Sequence, residues 1–161
     1  MVGTHADHRT NRRKEPPMTS RALPAETRRV ERGHAFYPPT ADLAVIPPLY
    51  ATEHVPAVDK IISAHYFVSG CASDWWIVEL DPDNGLAFGH ARLAGDDQNA
   101  EWGYVSLPEL ETLYQDGGFT RQDNPAHPWR LLPRILVERD LHWVACTAAE
   151  ADLPGVRARS H

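Results

Sequence analysis

From Lys60 onward, β-branched and aromatic residues gather in short runs separated by turn residues, the pattern of an antiparallel sheet. Ile61, Ile62, Tyr66, Phe67 and Val68 form one run, closed by Ser69-Gly70, and Trp75 to Leu80 form a second. The segment Asp81-Pro82-Asp83-Asn84-Gly85 supplies hairpin chemistry, with Pro fixing φ and Asn-Gly accepting positive φ, so Leu86 to Leu93 is predicted to return antiparallel to Trp75–Leu80. After the polar stretch Gly95 to Asn99, a further strand is predicted over Glu101 to Val105, completing a meander. Ser106-Leu107-Pro108-Glu109 reads as a capping box opening a helix from Leu107 to about Gln115, with Leu107, Leu110, Leu113 and Tyr114 on its apolar side and Gly117-Gly118 as its stop. Residues 119–133 hold three prolines and no clear period and read as a loop, and a last strand is predicted from about Ile135 to Cys146. The fold class is therefore α+β: an antiparallel sheet of about four to five strands with one or two helices packed on one face.

Proline distribution marks the boundaries of this unit. Eight of the fourteen prolines lie between Pro16 and Pro56, and none lies between Val58 and Asp81. Residues 1–34 read as a basic, mostly disordered leader with a short helix over Pro24 to Arg32 stopped by Gly33. Residues 35–148 form the single domain, and 149–161 a flexible tail. Phe36 to Val55 is extended and Pro-rich.

Charge refines the picture. The net charge of −6 divides into +4 over residues 1–34 and −10 over the remainder. A folded part this acidic repels phosphate backbones, so nucleic acid is expected to be met only by the basic leader or through a metal site. No apolar stretch approaches the roughly eighteen residues of a membrane span, and the first seventeen residues are polar, so a cytoplasmic protein without membrane contact is expected. Cys71 and Cys146 have no C-x-x-C partner and read as reduced thiols.

Two constellations offer chemistry. Glu138, Asp140 and His142 occupy alternate positions of the predicted last strand and so share a face. Strand residues two apart are separated by about 7 Å, so all three cannot bind one ion of zinc-like bond length. A divalent metal would instead need Asp140 and His142 with help from other strands, for which His65, Glu79, His90 and Glu101 are candidates; the plainer reading is a solvated strand face. Asp74-Trp75-Trp76 and Trp102 with Tyr104 form the second constellation, able to stack on single-stranded bases if exposed and simply core if buried. No nucleotide-binding glycine loop, zinc-protease motif or nucleophile elbow occurs, and no cofactor is expected outside the metal reading.

The runs Pro47-Pro48-Leu49-Tyr50-Ala51-Thr52-Glu53, Ser73-Asp74-Trp75-Trp76, Leu86-Ala87-Phe88-Gly89, Asn99-Ala100-Glu101-Trp102-Gly103-Tyr104 and Val137-Glu138-Arg139-Asp140-Leu141-His142-Trp143, with Ala64-His65-Tyr66-Phe67 between the first two, resemble in order and spacing a bacterial domain family of unknown function. The resemblance spans about residues 46–145 and implies a protein of plasmids and integrated elements. Some members bear a single-stranded DNA endonuclease label, but the family supplies no catalytic residues to carry over. Two expectations follow: a non-enzymatic accessory protein that binds a protein partner through an acidic surface, or a divalent-metal nuclease using Asp140 and His142 with Glu101 or Glu79.

Overall fold

The computed structural model describes residues 22–156. In chain order these form helices α1 (Arg29–Arg32) and α2 (Thr40–Leu43), strands β1 (Ile61–Ile62), β2 (Ala64–Val68), β3 (Ser73–Leu80), β4 (Leu86–Arg92) and β5 (Glu101–Ser106), helix α3 (Leu107–Thr112), and strands β6 (Tyr114–Gln115), β7 (Phe119–Arg121), β8 (Trp129–Leu131), β9 (Ile135–Arg139) and β10 (Cys146–Thr147). The main sheet has six strands in the order β5-β4-β3-β2-β9-β6, all pairs antiparallel, so the α+β reading holds with more strands than anticipated. The meander β2 to β5 forms as its turn residues predict. Gly85, at φ +77°, donates its N–H to Asp81 O across the β3–β4 turn, and Asp81 N–H donates to Leu86 O.

Strand β3 is buried along its whole length because both of its faces are covered. Trp75, Ile77 and Leu80 join Phe36, Tyr66, Leu107, Leu110 and Val137 on one side, whereas Trp76 and Val78 join Ile62, Ala148, Leu153 and Val156 on the other. A strand buried twice needs no polar alternation, which accounts for the unbroken run of apolar residues from Trp75 to Val78. The register shifts between Ile77 and Glu79, a bulge that leaves Leu80 opposite Ala87 in the first core and sets Glu79 opposite Phe88. At this bulge β4 runs so close to β3 that a Cβ on Gly89 would stand 2.1 Å from Trp76 O, so only glycine fits.

Several boundaries differ from the sequence expectation, each for a local reason. Helix α3 opens as anticipated, with Ser106 Oγ accepting from Glu109 N–H at 3.3 Å, but ends at Thr112 because Leu113 turns extended and Tyr114–Gln115 pair with β9. The last strand stops at Arg139: the Asp140 carboxylate accepts His142 N–H at 2.9 Å, an Asx turn that bends the chain before β10 pairs with β1. The stretch read as a loop contains a two-stranded arm, β7 paired with β8, with Phe119 opposite Leu131 and Arg121 opposite Trp129. The folded body also reaches past both expected limits of 35 and 148. Leu153 and Val156 are buried, and helix α1, shorter than expected, buries Arg32.

Arg32 and Glu111 are the principal tie between the first described segment and the sheet. Their side chains are 0% and 2% exposed and meet at 3.2 Å. Arg32 also donates to Val137 O and Glu111 O, while the Glu111 carboxylate accepts from Thr27 Oγ1 and Arg28 N–H. Every donor and acceptor of the pair facing the interior is thus matched, the condition under which a buried ion pair is tolerated.

Candidate functional site

The cross-strand register assembles one polar chain at the edge of the second core. β2, β3 and β4 align Phe67 with Asp74 and Asp74 with Arg92, and one pleat further along align His65 with Trp76 and Trp76 with His90. His65 Nε2 lies 3.0 Å from Asp74 Oδ1, and its Nδ1 lies 3.3 Å from Asp140 Oδ2. Arg92 closes the chain on Asp74 Oδ2 at 2.6 Å and reaches Asp97 at 3.1 Å. The imidazole stacks on Trp76, 5.4 Å between centroids with the planes 11° apart, and Trp143 leans on it from the segment after β9. His65, Asp74, Arg92 and Asp140, with Phe67, Gly70 and Ala72, line a shallow depression of about 700 Å³.

This geometry limits the chemistry. A histidine serving as general base or acid keeps one ring nitrogen towards the reacting group while a carboxylate orients the other. Both nitrogens of His65 face carboxylates, Asp74 is shared between His65 and Arg92, and Asp140 spends its second oxygen on His142 N–H. The chain locks four consecutive parts of the sheet together, and each of its polar atoms already has a partner.

The other residues proposed from sequence as metal ligands are placed apart. Glu79 is buried and accepts from Tyr50 N–H and Thr52 N–H, each at 2.7 Å, and from the Thr52 hydroxyl. Lys60 Nζ, itself held by Thr52 O, completes this cluster, which shapes the loop carrying Tyr50 at φ +70°. Glu101 is exposed on edge strand β5, three strand positions and about 14 Å from β2, while Asp140 lies on the far side of β2. His142 is exposed in the turn, and no longer on a strand. Among the described residues, no group of three or more His, Cys, Asp or Glu side chains is arranged to hold a metal ion. Glu138, in β9, pairs with His34 Nε2 at 2.5 Å.

The aromatic constellation divides between the two cores. Trp75 faces the first core and Trp76 the second, both buried, so neither presents a ring to a base. Trp102 is half-buried against His90, 5.0 Å away and edge-on. Tyr104 alone of the set is exposed, beside Tyr50. His90 is 2% exposed and its Nδ1 has no hydrogen-bond partner among the described residues, so burial pushes its pKa below the ordinary 6.5.

That burial sets a pH dependence. Burial alone would raise the Glu79 and Glu111 carboxyls, but hydrogen bonds from Thr52 and Tyr50 to Glu79, and from Arg28, Thr27 and Arg32 to Glu111, outweigh it and hold both below their ordinary 4.5. Below about pH 6.5 the unfolded chain protonates His90 while the buried ring resists, so stability falls with pH; below about 4.5 the two glutamates add to the fall. Each group contributes a slope of up to about 1.4 kcal/mol per pH unit in its window. Urea unfolding followed by tryptophan fluorescence should show His90→Phe losing less stability than the parent between pH 6.5 and 5, and parallel profiles would refute the assignment.

Two features escaped the sequence reading. One is the Arg32–Glu111 tie, for which the sequence holds no local signal. The other is the surface of the arm, where Phe119, Trp129 and Leu131 are 70%, 64% and 65% exposed. The alternation of Phe119 with Arg121 and of Trp129 with Leu131 was its available signal. Charge separates with it: between residues 35 and 156 the exposed Lys and Arg side chains are Arg121, Arg130 and Arg134, all on the arm or at its root, while Lys60, Arg92 and Arg139 are at least partly buried. Asp96, Asp97 and Glu101 stand exposed at the opposite end of the sheet, around the β4–β5 connection.

Compared with protein-family models, curated proteins and solved structures, the chain matches none. Among the described residues, no helix is long and apolar enough to cross a membrane.

Proposed function

We propose that the chain is a non-enzymatic accessory protein that binds a basic protein partner through its acidic surface, in the setting of a bacterial mobile element that its motifs resemble. The observation that carries this reading is the separation of charge: among the described residues outside the arm and its root, carboxylates are exposed and Arg29 of α1 is the one exposed Lys or Arg. A surface of one sign steers an oppositely charged partner and repels nucleic acid. The internal contacts of His65, Asp74, Asp140 and Glu79 support it, because these polar side chains are engaged with other parts of the fold.

The test is binding of a fluorescent arginine-rich peptide, followed by anisotropy at low and moderate salt. Replacing Asp96, Asp97 and Glu101 with lysine should weaken binding at least tenfold, whereas the same charge change at Glu53, Glu150 and Asp152 should weaken it less. Equal effects from the two sets would mean that net charge alone attracts the peptide. Cleavage of labelled single-stranded DNA with Mg²⁺ or Mn²⁺, abolished by Asp140→Ala, would overturn the non-enzymatic reading.

A further inference from the structure

The β7–β8 arm is a two-stranded ribbon whose one face bears Phe119, Arg121, Trp129 and Leu131 in two cross-strand pairs, none of them covered. It projects from a built root. Leu132 N–H donates to Gly118 O, and Gly117 lies so close to Pro133 that a Cβ there would stand 2.0 Å from Pro133 O. Three large apolar side chains on so short a ribbon far exceed what its own contacts repay, and exposed aromatics flanked by arginine are the composition of a contact surface.

What covers this face is indicated by charge and by topology. The arm carries exposed Arg121 and Arg130 against one exposed acid, Asp123, with Arg134 at its root tied to Asp116 and Glu31. Its complement in sign is the exposed Asp96, Asp97 and Glu101 group beside edge strand β5, of which Asp97 also meets Arg92. β5 pairs with β4 on one side only, so the backbone groups of its other side are open, and Tyr104 on it is 53% exposed. The arm, however, leaves the chain between β6 and β9, at the opposite edge of the six-stranded sheet. Five strand spacings, about 24 Å along the sheet, separate the two edges, and the exposed Phe119, Trp129 and Leu131 show that the arm is not seated on β5 of its own chain. A second copy can receive it.

We infer that two copies of this chain associate by reciprocal arm exchange, the arm of each seating Phe119, Trp129 and Leu131 along the β5 edge of the other, with Arg121 and Arg130 against Asp96, Asp97 and Glu101. A two-fold axis satisfies both arms and both open edges at once. This rests on the proposed acidic binding surface and names its occupant. Single-stranded nucleic acid, the other ligand of arginine-aromatic ribbons, is less well matched, because Leu131 offers no stacking plane and the rest of the body is acidic.

The experiment is sedimentation of the full chain over about 1–100 μM. The parent should sediment as a dimer that weakens with salt. Phe119→Ser with Trp129→Ser should sediment as a monomer with unchanged circular dichroism, the altered residues being exposed. Asp96→Lys with Asp97→Lys should also be monomeric, and an equimolar mixture of the two variants should recover association, because one intact arm still meets one intact edge. A parent that is monomeric at 100 μM, or an arm variant that dimerises like the parent, overturns the inference, as does a parent whose association gives way to complexes with labelled oligonucleotide. The arm variant keeps the acidic surface and should still bind the arginine-rich peptide, so loss of dimer with retained peptide binding supports arm exchange, while loss of peptide binding in the monomeric variant counts against the proposed function alone.

Discussion

Replacing Glu111 with alanine is expected to lower stability by about 3–5 kcal/mol, the cost of leaving a buried charge without its partner. The Arg32 guanidinium is fully enclosed and would face a void where the carboxylate had been, while Thr27 Oγ1 and Arg28 N–H would lose their acceptor. Urea denaturation measures the loss directly. The informative companion is the double variant Arg32→Met with Glu111→Leu, which removes both charges and should recover most of the stability. A loss below about 1 kcal/mol in Glu111→Ala would mean that the pair is solvated and behaves like a surface ion pair.

Glu79→Ala is expected to have the next largest effect, about 3 kcal/mol, because three donors lose a common acceptor and the buried Lys60 ammonium loses the carboxylate charge near it. The damage should be local before it is global. Tyr50 sits at φ +70°, a conformation uncommon for a residue with a side chain, and its N–H bond to Glu79 helps to hold it there. Amide exchange at Tyr50 and Thr52 should therefore accelerate in the variant at a denaturant-free pH where β3 and β4 remain protected. If those two amides keep their protection, the loop is held by its prolines and not by the carboxylate.

Glu79 also shows where sequence reading reached its limit. Strands β3 and β4 and the start of α3 were legible because their signals are short-range: Pro, Asn and Gly in a five-residue turn, and Ser106 three residues before Glu109. The polar residues were visible as residue types but not in their roles. Glu79 finds its donors 27 and 29 residues earlier in the chain, and Asp140 finds His65 across 75. An acid that reads as a free ligand in one dimension is thus already used in three. Trp75 and Trp76 carried the same ambiguity, which resolves into opposite cores only because segments from both ends of the chain cover the sheet. The end of β9 was hidden differently, since Asp140 fits an alternating strand pattern but turns its carboxylate on its own backbone two residues on.

The Arg32 contacts impose an order on synthesis. Arg32 leaves the ribosome 79 residues before Glu111 and 105 before Val137, its two main partners. At roughly 5–20 residues per second, the nascent chain spends on the order of five to twenty seconds with that guanidinium and the neighbouring Phe36 ring unaccommodated. The segment that carries Arg32 and Phe36 has to wait until the translation of β9 supplies the last wall against which it closes.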